Sequence, residues 1–219
     1  MAPVVTQSDA VTPYRKKVFN YLALGDSYTI GQSIPEDENH PNQLVTLLKK
    51  DGLEGQLKII AVTGWTTGQL KTAVSLAQND GSLRESYDIV TLLIGVNDQY
   101  RGLDAAAYKP TFEALLKKAI GLAGDNANHV IVLSIPDWGV TPFAGGKESS
   151  RIAGEIDAYN HINKQLSKQY GTNYVEITWD TRVTGNDRGF LAADGLHYSE
   201  KEYALWAEKL AEKIKLLLR

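Results

Sequence analysis

"VFNYLALGDSYTIG", residues 18–31, decides the fold. An apolar run, 18–24, stops at Gly25 and is followed by an acid, a hydroxyl and an aromatic: Asp26, Ser27 and Tyr28. A run of that length, apolar on both faces and ended by glycine, reads as a buried parallel strand entering a helix. Ser27 then sits at a strand-to-helix turn. Taken alone, a serine there is better explained as a helix N-cap than as a nucleophile.

The same pattern repeats outward from this stretch. "LKIIAV" (57–62), "YDIVTLLI" (87–94), "HVIVLSI" (129–135) and "NYVEIT" (173–178) read as further strands. Amphipathic stretches near 40–50, 67–79, 104–123, 148–170 and 199–218 read as helices. In the last, Ser199 with Glu202 three residues on matches a capping box. The residues 180–189, "DTRVTGNDRG", read as a loop, with Arg182 and Arg188 on solvated surface. Alternating strands and helices predict an α/β protein: a three-layer α/β/α sandwich on a five-stranded parallel sheet of order 2-1-3-4-5, as in flavodoxin-like folds. Residues 1–16 read as an N-terminal arm and 17–219 as one domain.

Composition narrows the function. The chain has 219 residues, of which 43% are hydrophobic and 22% charged. A chain of this length can bury roughly 70% of its unfolded surface without cross-links. The 23 basic and 26 acidic residues are interspersed, with a net charge of −3. No basic stripe marks a nucleic-acid partner. The absence of cysteine excludes disulfides, thiolate metal sites and a cysteine nucleophile. His40, His129 and His161 are scattered, so no metal site is expected. No run approaches the ~18 apolar residues of a membrane span. The N-terminus lacks the apolar core of a secretion signal, as expected of a cytoplasmic protein or the processed form of an exported one.

In doubly wound sheets, ligands bind beyond the carboxyl ends of the strands. The residues that follow the strands are Gly25-Asp26-Ser27-Tyr28, Thr63-Gly64-Trp65, Gly95-Val96-Asn97-Asp98, Pro136-Asp137-Trp138 and Asp194-Gly195-Leu196-His197. Asp194 and His197 are spaced so that a tight turn can bring the carboxylate to Nδ1, leaving Nε2 for a hydroxyl. Ser27 is the candidate hydroxyl. Its own N–H, Gly64 and the Asn97 amide are candidate donors to an oxyanion. Trp65 and Trp138 are candidate walls of a substrate pocket, with simple packing as the rival explanation; Trp179 and Trp206 read as core or helix-packing residues. Any one of these groups alone is better explained as a cap, a turn glycine or an Asx turn.

Together these blocks resemble the SGNH hydrolases, the GDSL family of esterases and lipases. Gly25-Asp26-Ser27-Tyr28 matches the first block, with Tyr in the common Leu place. Gly64 matches the second, Gly95-Val96-Asn97-Asp98 the third and Asp194-Gly195-Leu196-His197 the last. Thr63 stands where many members have asparagine near the second-block glycine. The resemblance implies a cofactor-free serine esterase acting on small-molecule esters: Ser27 as nucleophile, His197 as base, Asp194 as its partner, and Ser27, Gly64 and Asn97 as the oxyanion hole. It also implies that Asp26 shapes the nucleophile turn and Asp98 supports the Asn97 loop. With no long apolar lid, a short acyl group is expected, acetylated carbohydrate included. Two rivals remain at this stage. One is a flavodoxin-like FMN carrier using the hydroxyl-rich "TGWTTG" (63–68) as a phosphate loop. The other is a catalytically silent carbohydrate-binding member of the same fold.

Overall fold

Five parallel strands form one sheet in the order β2-β1-β3-β4-β5: β1 (Lys17–Gly25), β2 (Leu53–Ala61), β3 (Ile89–Leu93), β4 (Val130–Leu133) and β5 (Asn173–Val175). The computed structural model describes residues 17–146 and 148–219; the expected arm, 1–16, lies outside the described residues, as does Lys147. The inner strands are apolar on both faces because both are covered. Leu22, Leu24, Val90, Leu92, Ile131 and Val132 are all fully buried, each worth roughly 1.5–3 kcal/mol relative to exposure.

The helices are α1 (Ser27–Ile30), α2 (His40–Lys50), α3 (Thr67–Asn79), α4 (Val96–Tyr100), α5 (Ala105–Leu122), α6 (Ser149–Tyr170), α7 (Thr178–Thr184) and α8 (Glu200–Leu217). α2 and α8 pack on each other as one layer, while α3, α5 and α6 form the other. The apolar spacing read in the last helix is what docks it: Tyr203, Trp206, Leu210 and Ile214 are fully buried.

Several local expectations need correction. The edge strand β2 starts at Leu53 rather than 57, since pairing with β1 extends it through residues with no apolar signal. Residues 180–189 are not all loop, because α7 runs into them. Its buried face is Thr178 and Thr181, hydroxyl residues that carry no apolar periodicity. Trp179 therefore points outward, 66% exposed, and is not core, whereas Trp206 is. Arg182 is paired rather than solvated, at 2.8 Å from Asp137 Oδ2 and 2.9 Å from Asp157 Oδ1.

The capping box at Ser199 does not form. Ser199 Oγ donates to the Gly189 carbonyl, and Glu202 turns inward to accept from Thr184 Oγ1 and Trp206 Nε1. A capping box does form at Thr66 and Gln69, at the start of α3.

Candidate active site

β1 ends on Gly25 because nothing larger fits. A Cβ there would lie 1.9 Å from Thr29 Oγ1 and 2.6 Å from the Leu93 carbonyl oxygen. The next residue, Asp26, caps α1: its Oδ1 accepts from the Tyr28 N–H at 3.1 Å. The cap at this turn is thus Asp26 and not Ser27. Ser27 is the first residue of the helix, and its hydroxyl has no hydrogen-bond partner among the described residues. It faces a cavity of about 160 Å³ that Gly64, Asn97 and His197 also line.

His197 enters that cavity from the turn before α8. Gly195 adopts φ +67° there, and Asp194 Oδ1 accepts the N–H groups of Leu196 and His197, both at 2.9 Å. The other oxygen, Oδ2, lies 2.7 Å from His197 Nδ1 and 2.6 Å from Ser33 Oγ. Partial burial pushes the Asp194 pKa up. The hydrogen bonds from Ser33, His197 and the two backbone N–H groups outweigh it and hold the carboxyl well below the usual range. The turn is tied back by a Leu191–Tyr198 bridge, and the His197 ring lies 5.1 Å from that of Tyr28.

The third wall is the end of β2 and β3. Asn97 Nδ2 donates to the Trp65 carbonyl at 3.1 Å, with Asp26 Oδ2 at 3.3 Å. Asp98 Oδ2 accepts from both the N–H and the hydroxyl of Thr67, at 2.8 and 2.9 Å, and so fastens the Asn97 loop to the start of α3. Gly64 has φ +79°, a conformation that favours glycine, and its carbonyl accepts from Arg101 Nη2 at 2.7 Å. The Ser27 and Gly64 N–H groups have no backbone acceptor among the described residues. Burial raises the Asp26 pKa to about 7, aided by the charge of Asp98 and opposed by the Tyr28 N–H and Asn97. Burial also raises that of Asp98.

Ser27, Gly64, Asn97, Asp194 and His197, from four separate loops, are thus gathered at one sheet edge. Trp138 joins them as a wall, its indole N–H held by Gln99 Oε1 at 2.7 Å. Trp65 does not line the cavity; its side chain packs against the core and its carbonyl serves Asn97. Sequence reading missed Ser33, Arg101, Tyr100 and Phe143. Tyr100 and Phe143 are 55% and 49% exposed and stack around Trp138 at the mouth. The "TGWTTG" hydroxyls are already engaged within the protein. Thr63 bonds Gln32, Thr66 caps α3 and Thr67 bonds Asp98. Among the described residues, no three His, Asp or Glu side chains cluster to hold a metal, and no helix is long and apolar enough to cross a membrane.

Comparison with known proteins agrees with this architecture. The psychrotrophic esterase EstA from Pseudoalteromonas sp. superposes with a TM-score of 0.66 at 17% identity, over 91% of this chain and 98% of that one. Axe2, an acetylxylan esterase from Geobacillus stearothermophilus, gives 0.69 at 17% identity, over 91% and 96%. A lipase/acylhydrolase from Enterococcus faecalis gives 0.69 at 20%, over 90% and 95%. At these identities the likeness is one of fold. No curated protein matches the sequence. The model of the GDSL-like lipase/acylhydrolase family matches residues 23–205. The chain belongs to that family and is a carboxylic ester hydrolase.

Proposed function

We propose that this enzyme cleaves short-acyl carboxylic esters through Ser27, His197 and Asp194. The observation that carries the reading is the shared cavity: an uncommitted Ser27 hydroxyl and the His197 ring line it together, with Asp194 bonded to the far side of that ring at 2.7 Å. His197 Nε2 takes the Ser27 proton as Oγ attacks the ester carbonyl. Asp194 keeps the proton on Nδ1 and stabilises the imidazolium. The negative charge that develops on the carbonyl oxygen is met by the Ser27 and Gly64 N–H groups and by Asn97, whose longer contact to Asp26 is the one to yield. His197 then protonates the leaving alcohol, and water releases the acyl group by the same route.

The cavity suits a small acyl group. Its outer wall is aromatic, made of Trp138, whose N–H is engaged by Gln99, with Phe143 and Tyr100. Such a wall suits an aryl group or the apolar face of a sugar, and two solved relatives in fold are described as acetyl xylan esterases. The test is a panel of aryl esters of increasing acyl length beside acetylated sugars, with Ser27→Ala and fluorophosphonate labelling as controls. Labelling lost and turnover abolished in Ser27→Ala is the expected result. Near-wild-type turnover in Ser27→Ala or His197→Ala would sink the assignment.

A further inference from the structure

We propose that Ser33 is a positioning residue for the reaction, a fourth member of the relay that holds the Asp194 carboxylate in line with His197. The proposal rests on the triad reading above. Two independent observations carry it. Ser33 Oγ donates to Asp194 Oδ2 at 2.6 Å, the same oxygen that pairs with His197 Nδ1. Ser33 also holds φ +71°, one of three non-glycine residues with positive φ among those described. An L-residue adopts that conformation at a cost, and such strain persists where surrounding contacts impose it.

The segment is built to place that hydroxyl. Gly31, at φ +73°, turns the chain out of α1, and a Cβ there would meet Asn39 Cβ at 2.7 Å. Asn39 Nδ2 holds the Ile30 carbonyl at 3.1 Å. Gln32 accepts from Thr63 Oγ1, next to Gly64. Adjacent side chains of one short turn thus reach the oxyanion side and the acid side of the cavity.

With Leu196 and His197 N–H on Oδ1, the Ser33 hydroxyl and His197 Nδ1–H on Oδ2 complete two donors for each carboxylate oxygen. Four donors leave the carboxylate no rotation that preserves all of them. Loss of the Ser33 bond would free the carboxylate to rotate and leave the His197 ring less firmly oriented.

The other titratable groups near Asp194 are Tyr28 on α1, Tyr203 on α8 and Arg188 beside the turn. None of them hydrogen-bonds Asp194 among the described residues.

Ser33→Ala and Ser33→Gly separate the hydroxyl from the turn. Glycine is the better residue at positive φ, so Ser33→Gly should fold at least as stably as the wild type. If the hydroxyl acts as proposed, both variants lose kcat by about tenfold with KM little changed. Wild-type kcat in Ser33→Gly, with or without a loss in Ser33→Ala, overturns the proposal. So does a fall in kcat that comes with an equal rise in KM or a lowered melting temperature, which marks a merely structural role. Ser27→Ala run alongside keeps the two readings apart: if it stays active the triad itself fails, and if it is dead while Ser33→Gly is unaffected only the role of Ser33 fails.

Discussion

Arg101 Nη2 stands 2.7 Å from the carbonyl oxygen of Gly64, so a side chain from the end of α4 orients the loop that follows β2. Removing it as Arg101→Met keeps the aliphatic stem and deletes the donor. A charge-assisted bond at an exposed site is worth about 1 kcal/mol, which gives an expected loss of about fivefold in kcat. Thermal stability should barely move. Steady-state kinetics beside a melting curve check this, and unchanged kcat would show that the Gly64 loop holds itself.

Gly64→Ala tests the same loop from within. A Cβ there would meet only Arg101 Nη2, at 3.9 Å, so space is available. The penalty is the backbone at φ +79°, about 1–2 kcal/mol for an L-residue. On the proposed oxyanion role, Asn97→Ala removes the side-chain donor outright, with an expected loss of about 10²–10³ in kcat. KM should change far less in both. A raised KM with intact kcat would assign these residues to ground-state binding instead.

Two buried groups pull stability in opposite directions with pH. Burial lowers the His40 pKa from 6.5 to about 3, and both ring nitrogens lack partners among the described residues. Below pH 6.5 the unfolded chain therefore takes up a proton that the folded protein refuses, and stability falls as pH drops toward 3. Asp26 is raised from 3.8 to about 7, chiefly by burial, so it withdraws stability as pH rises through that interval. Each slope is at most about 1.4 kcal/mol per pH unit. Urea unfolding at pH 4, 5.5 and 7 should show His40→Leu gaining on the wild type toward acid and Asp26→Asn gaining toward neutrality. Parallel curves for all three proteins would refute the pairing.

The mouth of the site makes a prediction about substrate. Phe143 is half exposed, stacks at 6.2 Å from Trp138 and 6.3 Å from Tyr100, and supports little of the core. Phe143→Ala should leave stability within about 0.5 kcal/mol. It should raise KM for aryl esters severalfold while sparing the smallest alkyl acetates. An equal effect on both series would mean that the ring does not meet the alcohol group.

Much of this was legible in the sequence, for identifiable reasons. β1, β3 and β4 were legible because burial on both faces forces apolar runs, and the order followed from the alternation of strands and helices in a doubly wound fold. β2 was misplaced at its start because Glu54, Gly55 and Gln56 are in the sheet through pairing with β1, not through their own preference. α7 escaped notice because its buried positions are threonines. Ser27, Gly64 and Asn97 sit in short blocks just after strands, where the fold itself says to look, and His197 sits in the turn before the last helix. Ser33 and Arg101 lie outside such blocks. Their partners, Asp194 and Gly64, are reached only through tertiary packing, and no local pattern announces them. Ser199 and Glu202 carried the right pattern and formed no cap, because Gly189, Thr184 and Trp206 offered their side chains better partners.

Asp194 and His197 share one tight turn, whereas Ser27 comes from the opposite end of the chain. The pairing of Asp194 with His197 is therefore a local property, available wherever that turn folds. The approach of His197 to Ser27 depends on α8 docking against α2 and on the Leu191–Tyr198 bridge. On the proposed triad, turnover therefore reports whether the last helix is docked.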